Sequence, residues 1–312
     1  MGFYYQLIAK GFSQVEGVDY NELFSPVARF ETVQTLLALA ALEDWEIQAL
    51  DVKQAFLYGK LDEEIYMEQP KDFIKEGTPK VWRLHRALYG LKQASLSWWK
   101  ECNASMGKLG FKRCSSDAGV YVFKSNGQTV TAIIYVDDAL FLGKDKELVL
   151  KKKNKFMKLW ECRNLGEPTE FLGMRITRDR SKRVLTLDQQ PYLRKVIERF
   201  GMTNAKATPT PLPSSWVPRA NTGRVDARLR QRFQSVIGSL LYLMLGTQAD
   251  IAYAVIKLSQ FSANPNPDHL AIALYIVRYL IGTSTYVLVF DGRSDQGFLA
   301  YCDSDWASDP DD

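Results

Sequence analysis

Histidine is almost absent: His85 and His269 are the only two in 312 residues, which gives no basis for a histidine metal site or for Ser-His-Asp chemistry. The four cysteines, Cys102, Cys114, Cys162 and Cys302, stand far apart with no CxxC pair. That spacing argues against a zinc site and against a disulfide framework, and it fits a reducing compartment. No apolar run approaches the ~18 residues a spanning helix needs, and the stretch from Thr35 to Leu42 falls well short. There is no internal repeat. With histidine and cysteine set aside, any catalysis must rest on carboxylates.

What is present is ordinary for a globular chain, with 46% hydrophobic and 24% charged residues. The length suggests two or three domains. A formal charge of +4 permits a nucleic-acid partner without implying one. The basic residues are concentrated, however: Lys144 to Arg199 holds 16 Lys or Arg against 8 Asp or Glu. Such a stretch could track phosphates or could equally be a solvated helix face.

Local patterning predicts a Leu- and Ala-rich helix over Glu31–Asp44 and a strand from Ile47 that turns near Leu57. A short strand is expected at Ile65–Met67 and a helix over Leu96–Leu109. Two β-branched, aromatic runs, Gly119–Lys124 and Thr129–Val136, flank Ser125-Asn126-Gly127 and read as a hairpin. A third strand, Ala139–Leu142, follows Asp137-Asp138 directly, which puts two carboxylates in a tight turn between apolar strands. After a basic helix, strands near Phe171–Ile176 and Val184–Leu187 and a helix over Gln189–Phe200 are expected.

The proline-rich run from Thr208 to about Gly223 reads as a linker dividing the chain in two. Helices follow over Ser235–Leu245, Asp250–Ser262 and, capped by Asn266 with Pro267 at its first position, up to Leu280. Tyr286–Phe290 and Gly297–Cys302 read as a hairpin-like pair near the last residue.

Asp is a favoured turn residue, so Asp137-Asp138 alone is compatible with a plain turn. Asp51, 86 residues earlier at the end of a separate apolar strand, is harder to explain that way. Carboxylates drawn within a few ångströms would repel by about 4 kcal/mol per close pair at an effective dielectric near 20. A bound cation removes that cost. Paired divalent ions about 3.5–4 Å apart are what in-line phosphoryl transfer uses, and magnesium suits oxygen ligands beside phosphates.

Several motifs, in order along nearly the whole chain, resemble the copia-type retrotransposon reverse transcriptases. They are Phe24-Ser25-Pro26-Val27, the stretch Leu50 to Gly59 (LDVKQAFLYG), Ile65 to Pro70 (IYMEQP), Leu88 to Ala94 (LYGLKQA), Tyr135-Val136-Asp137-Asp138 and Glu170-Phe171-Leu172-Gly173. Ser239-Leu240-Leu241-Tyr242 and Arg278-Tyr279-Leu280 extend the match beyond the proline-rich run. The resemblance implies an α+β palm-fingers-thumb fold and an RNA-directed DNA polymerase working on an RNA or DNA template with a primer, using dNTP.

On that reading Asp51, Asp137 and Asp138 are the catalytic acids and the ligands of two Mg2+ ions, with Mn2+ as a substitute. Asp51 and Asp137 bridge the metals and Asp138 contributes more weakly. The resemblance puts the ring of Phe56 under the sugar, where it leaves no room for a 2′-hydroxyl; core packing is the plain alternative. It makes Gly90, Lys92 and Gln93 substrate-binding candidates, against an ordinary turn glycine and a surface lysine. It makes Leu172 and Gly173 a primer-contacting turn, against a simple hairpin turn. It implies no membrane, and a cytoplasmic or nuclear location, within a virus-like particle in intact relatives.

Three places depart from the family pattern. Gln6 stands where an Arg is usual, Ser95-Leu96-Ser97-Trp98 replaces Pro-Arg-x-Trp, and Thr247-Gln248-Ala249-Asp250 replaces Thr-Arg-Pro-Asp. The expected organisation is partial fingers and palm over 1–178, a thumb-like segment over 179–207, the linker over 208–223, helical thumb or connection over 224–284, and a truncated start of a ribonuclease H domain over 285–312, with Asp303 as its first acid. The rival expectations are a catalytically silent relic that binds nucleic acid at most, and a scaffold using the helical C-terminal part.

Overall fold

Unbroken apolar runs and alternating ones fold here into different layers. The structure is a computed structural model that describes residues 7–70, 73–74, 80–224, 226–293, 299 and 302. Its centre is a six-stranded antiparallel sheet in the order β4-β5-β6-β7-β1-β8. These strands are β1 (Glu46–Val52), β4 (Lys112–Arg113), β5 (Val120–Ser125), β6 (Gln128–Tyr135), β7 (Asp138–Gly143) and β8 (Cys162–Gly166). The β5–β6 turn falls at Asn126-Gly127, where φ values of 49° and 75° suit the twist of a two-residue hairpin.

Period-two alternation sends the strand residues to two cores. Ile47, Ala49, Ile133, Leu140 and Leu142 face one core; α1 (Phe30–Leu42) closes it with Val33, Leu37, Ala40 and Ala41, recurring at helical spacing. Leu50, Val52, Val130, Ala132, Ala139 and Phe141 face the other. There they meet α2 (Ala94–Lys108) and α3 (Lys146–Met157) through Trp98, Met106, Val149 and Phe156.

A second sheet, ordered β12-β11-β10-β9, packs on the first core. It comprises β9 (Glu170–Phe171), β10 (Met174–Asp179), β11 (Val184–Asp188) and β12 (Leu288–Asp291). A separate hairpin pairs β2 (Lys60–Glu68) with β3 (Val81–Arg86). The helical layer consists of α4 (Gln190–Arg199), α5 (Ala227–Gly246), α6 (Ala252–Ser259) and α7 (Pro267–Gly282). At α7 the expected cap forms: the Asn266 side chain accepts from the His269 amide at 2.9 Å, and His269 Nδ1 accepts from the Asn266 amide at 3.1 Å.

Two sequence expectations change, and a third falls mostly outside the described residues. The proline-rich segment does not separate two bodies, because one core unites Leu193 and Val196 of α4 with α5–α7, and Leu212 and Trp216 pack onto it. Burial of an amphipathic α4 against later helices outweighs the break in secondary structure. The strand at Leu288–Asp291 pairs with β11, from Leu187↔Leu288 to Val184↔Asp291, while its expected partner over 297–302 lies outside the described residues apart from Leu299 and Cys302. Asp250–Ser262 is not one helix: α6 is flanked by 3-10 turns at Ala249–Ile251 and Gln260–Ala263. Gln6 and Asp303 also lie outside the described residues.

Candidate active site

Asp51 is the penultimate residue of β1, Asp138 is the first of β7, and the two are direct cross-strand partners. Alternation puts both on the face of Ile47, Ala49, Leu140 and Leu142, at the sheet end where the apolar cover stops. Asp137 sits in the adjoining β6–β7 turn, and its carbonyl accepts the Val52 amide at 2.8 Å. All three acids are half-buried. The sheet therefore brings together the carboxylates that the sequence set 86 residues apart.

Their electrostatics are those of like charges crowded at one end of a sheet. Burial, then Asp137, Asp51 and Glu170, push the Asp138 carboxyl up to about 6. Burial and Asp51 likewise raise Asp137. Lys53, two residues beyond Asp51, pairs with Glu161 at 2.7 Å. Oxygen donors carrying crowded negative charge fit a hard divalent cation. Among the described residues, however, no three His, Cys, Asp or Glu side chains already stand as a metal-holding group.

The turn carrying Asp137 is held under strain. Val136 adopts φ 56°, a left-handed conformation that is costly for a β-branched residue. The indole Nε1 of buried Trp98 donates to the Val136 carbonyl at 2.6 Å. Trp98 also packs against Tyr58 and Trp160, at 6.0 and 5.1 Å between ring centroids. The departure at Ser95-Leu96-Ser97 thus leaves in place the tryptophan that anchors this turn.

Strand β1 is pinned from behind. Lys153 of α3 is fully buried and donates to Gln48 Oε1 and Asn164 Oδ1, both at 2.7 Å, with burial lowering its pKa. It also reaches the Ala49 carbonyl, 3.4 Å away, where the β1–β8 register shifts at Ala49/Leu50. This fixes the strand two residues before Asp51.

The remaining candidates are placed as follows. Phe56 is half-buried against Tyr89, with ring centroids 4.7 Å apart. Tyr89 stands within electrostatic reach of the acids, since burial, Asp137 and Asp51 raise its phenol. Gly90 has φ 94°, and a Cβ there would lie 2.1 Å from the Ala9 carbonyl oxygen, so what approaches Gly90 is the chain's own backbone.

Lys92 Nζ donates to the Gln14 carbonyl at 3.2 Å and to Tyr20 Oη at 3.0 Å. Buried Gln93 accepts from Gln14 Nε2 at 3.0 Å and donates to the Asp19 carbonyl at 2.9 Å. Both side chains are thus engaged with residues 14–20. Leu172 and Gly173 form the β9–β10 turn, with φ 52° and 71°.

Sequence reasoning missed Tyr89, Glu170, Trp98 and Tyr242 as contributors to this region. Tyr89, Glu170 and Tyr242 lie inside motifs where residue type alone assigns them no role, and Trp98 is the unaltered end of a motif that departs from the family pattern.

A sheet that gathers three acids at one end, with helices on its faces and a helical layer beyond, has the architecture of an α+β polymerase palm. The sequence model of the family described as "Reverse transcriptase (RNA-dependent DNA polymerase)" matches residues 3–214. The Pol polyprotein from transposon TNT 1-94 of Nicotiana tabacum is 40% identical over 319 residues, covering 98% of this chain and 24% of that protein. Its counterpart from transposon RE1 of Arabidopsis thaliana is 36% identical and is covered over 21% of its length. The transposon Ty5-1 protein YCL074W of Saccharomyces cerevisiae is 33% identical over 82% of each chain.

The chain belongs to the reverse transcriptase family, as a copia-type retrotransposon polymerase region with the α+β fold of that family. It spans about a quarter of the length of the Pol polyproteins it matches. A solved foamy viral protease-reverse transcriptase in complex with double-stranded DNA overlaps 86% of this chain and 38% of its own, at 14% identity and a TM-score of 0.37. That likeness is too weak to carry an argument. No helix among the described residues is long and apolar enough to cross a membrane.

Proposed function

We propose that this chain catalyses RNA-directed DNA synthesis, joining a dNTP to a primer on an RNA or DNA template. The observation that carries the reading is the direct pairing of Asp51 with Asp138 beside Asp137, within residues matched by the family. The 3′-hydroxyl oxygen of the primer bonds to the α-phosphorus, the bond to the α–β bridging oxygen breaks, pyrophosphate departs, and the hydroxyl proton is released.

Asp51, Asp137 and Asp138 would hold magnesium, as two ions, or manganese in its place. When bound, the metal neutralises triphosphate charge and makes the attacking hydroxyl more acidic. Asp138, the acid pushed up to about 6, gives up its proton less readily and is the weaker ligand.

The wall formed by Phe56 and Tyr89 excludes a 2′-hydroxyl from the incoming sugar. Gly90, Lys92 and Gln93 act on the substrate side by fixing residues 9–20 beside it. Leu172 and Gly173 meet the primer. The fingers and palm fall within residues 1–178, and the thumb and connection within 179–207 and 224–284, joined by 208–223.

The test is incorporation of deoxynucleotides on a primed RNA template with Mg2+ or Mn2+, using Asp137→Asn as the control. Incorporation that disappears in the variant supports the reading. A folded chain that binds the primed template without extending it would leave a nucleic-acid-binding relic.

A further inference from the structure

We infer that Tyr242 of α5 is a positioning residue that holds the β9–β10 turn in the shape a nucleic-acid strand meets beside the three carboxylates. The strand-holding part of this inference rests on the polymerase reading above. The Tyr242 hydroxyl donates to the Leu172 carbonyl at 2.7 Å, across 70 residues of sequence. The same hydroxyl fills the space over the next residue: a Cβ at Gly173 would lie 2.2 Å from Tyr242 Oη. Turn and hydroxyl are therefore matched, and Gly173 is required both by its φ of 71° and by the tyrosine above it.

The ring has little freedom to leave. It packs edge-on against Tyr192 of α4 at 4.6 Å and against Phe30 of α1 at 5.9 Å. The helix beneath it is fixed at its end, where Gln34 of α1 donates to the Leu245 and Gly246 carbonyls at 2.9 and 2.6 Å. Gln189 adds a contact from the start of α4, donating to the Tyr242 carbonyl at 3.3 Å and accepting from the Thr247 hydroxyl at 3.1 Å.

One tyrosine thus joins the helical layer to a two-residue turn in which Leu172 holds an uncommon left-handed conformation, φ 52°. The turn lies on the carboxylate face of the central sheet: Leu172 packs on the same core as Tyr135, the cross-strand partner of Asp138 in β6. A plain hairpin turn needs no such partner, since two positive φ values already satisfy its geometry. The hydroxyl adds a fixed orientation relative to the helices.

The experiment compares the full chain with Tyr242→Phe, Gly173→Ala and the pair together, with Phe233→Leu in the helical core as a stability control. Hydrogen exchange over residues 170–176 reports the turn, and equilibrium binding to a primed RNA template without dNTP reports the strand. Loss of one hydrogen bond predicts a roughly five-fold weaker affinity in Tyr242→Phe, with faster exchange in the hairpin. Gly173→Ala is expected to be worse, and adding Tyr242→Phe to it to restore part of the loss, because the blocking hydroxyl is gone. Phe233→Leu should lower the melting temperature with affinity unchanged.

Equal template affinity in wild type and Tyr242→Phe would overturn the positioning role alone. An affinity loss in Phe233→Leu matching that in Tyr242→Phe would also overturn it, by making both a consequence of lowered stability. A wild-type chain that fails to bind primed template would overturn the strand-holding role together with the polymerase reading.

Discussion

Replacing Asp138 by asparagine should make this protein more stable at neutral pH. In the folded chain burial, then Asp137, Asp51 and Glu170, disfavour the ionised carboxylate and push it up to about 6 from its ordinary value near 3.8. A group with a raised folded pKa leaves stability intact while protonated and subtracts from it as it ionises. Wild-type stability should therefore fall as pH rises from about 4 through about 6.

Two pKa units correspond to roughly 3 kcal/mol. Because Asp138 is only half-buried, solvent screening reduces this to about 1–1.5 kcal/mol. The amide keeps the shape and removes the charge. Urea unfolding of both chains in EDTA, from pH 4.5 to 8, should show the Asp138→Asn variant ahead by about that amount at pH 7.5. The advantage should shrink toward zero near pH 4, and Mg2+ should narrow it at pH 7.5 by stabilising wild type more. A variant that is less stable than wild type at pH 7.5, or a difference flat across pH, would refute the reasoning.

Trp98→Phe keeps an aromatic ring but removes the donor to the Val136 carbonyl and part of the buried indole, and should cost about 2–4 kcal/mol with faster hydrogen exchange over residues 134–139. Gly90→Ala places a methyl 2.1 Å from the Ala9 oxygen at φ 94°, so the chain should lose about 2–4 kcal/mol in denaturant unfolding; a loss under about 1 kcal/mol would show that residues 8–11 move aside freely.

Much of the palm was legible because its signals are local. Asn126-Gly127 announces a two-residue turn, and the unbroken apolar runs on either side of Asp137-Asp138 announce the second hairpin. Asp51 could be recognised because a charge ending an apolar strand requires a reason. Strands β3 and β8 were not legible: β3 is exposed on alternate positions with His85 and three basic or aromatic residues among its six, and β8 carries Arg163 and Asn164 on a sheet edge. Neither offers an apolar run, and both exist because a neighbouring strand supplies hydrogen bonds.

The helical layer shows the opposite case. Proline-rich residues 208–223 do lack helix and strand, yet Trp216 and Leu212 bind them to the core they seemed to divide. Contacts of this kind depend on distant surfaces. The Tyr242–Leu172 bond and the Trp98–Val136 bond were invisible for the same reason, since each joins a motif residue to a turn 70 or 38 positions away.

The proposed centre for nucleotide transfer needs Asp51, Asp137 and Asp138 to act as one unit. Groups that act as a unit give non-additive losses. Incorporation rates on a primed RNA template with Mg2+ should therefore be measured for wild type, Asp51→Asn, Asp137→Asn and the double variant. The account predicts that each single change abolishes most activity and that the double is no worse than the more damaging single. Losses that multiply, or a wild-type chain that extends no primer, would contradict it.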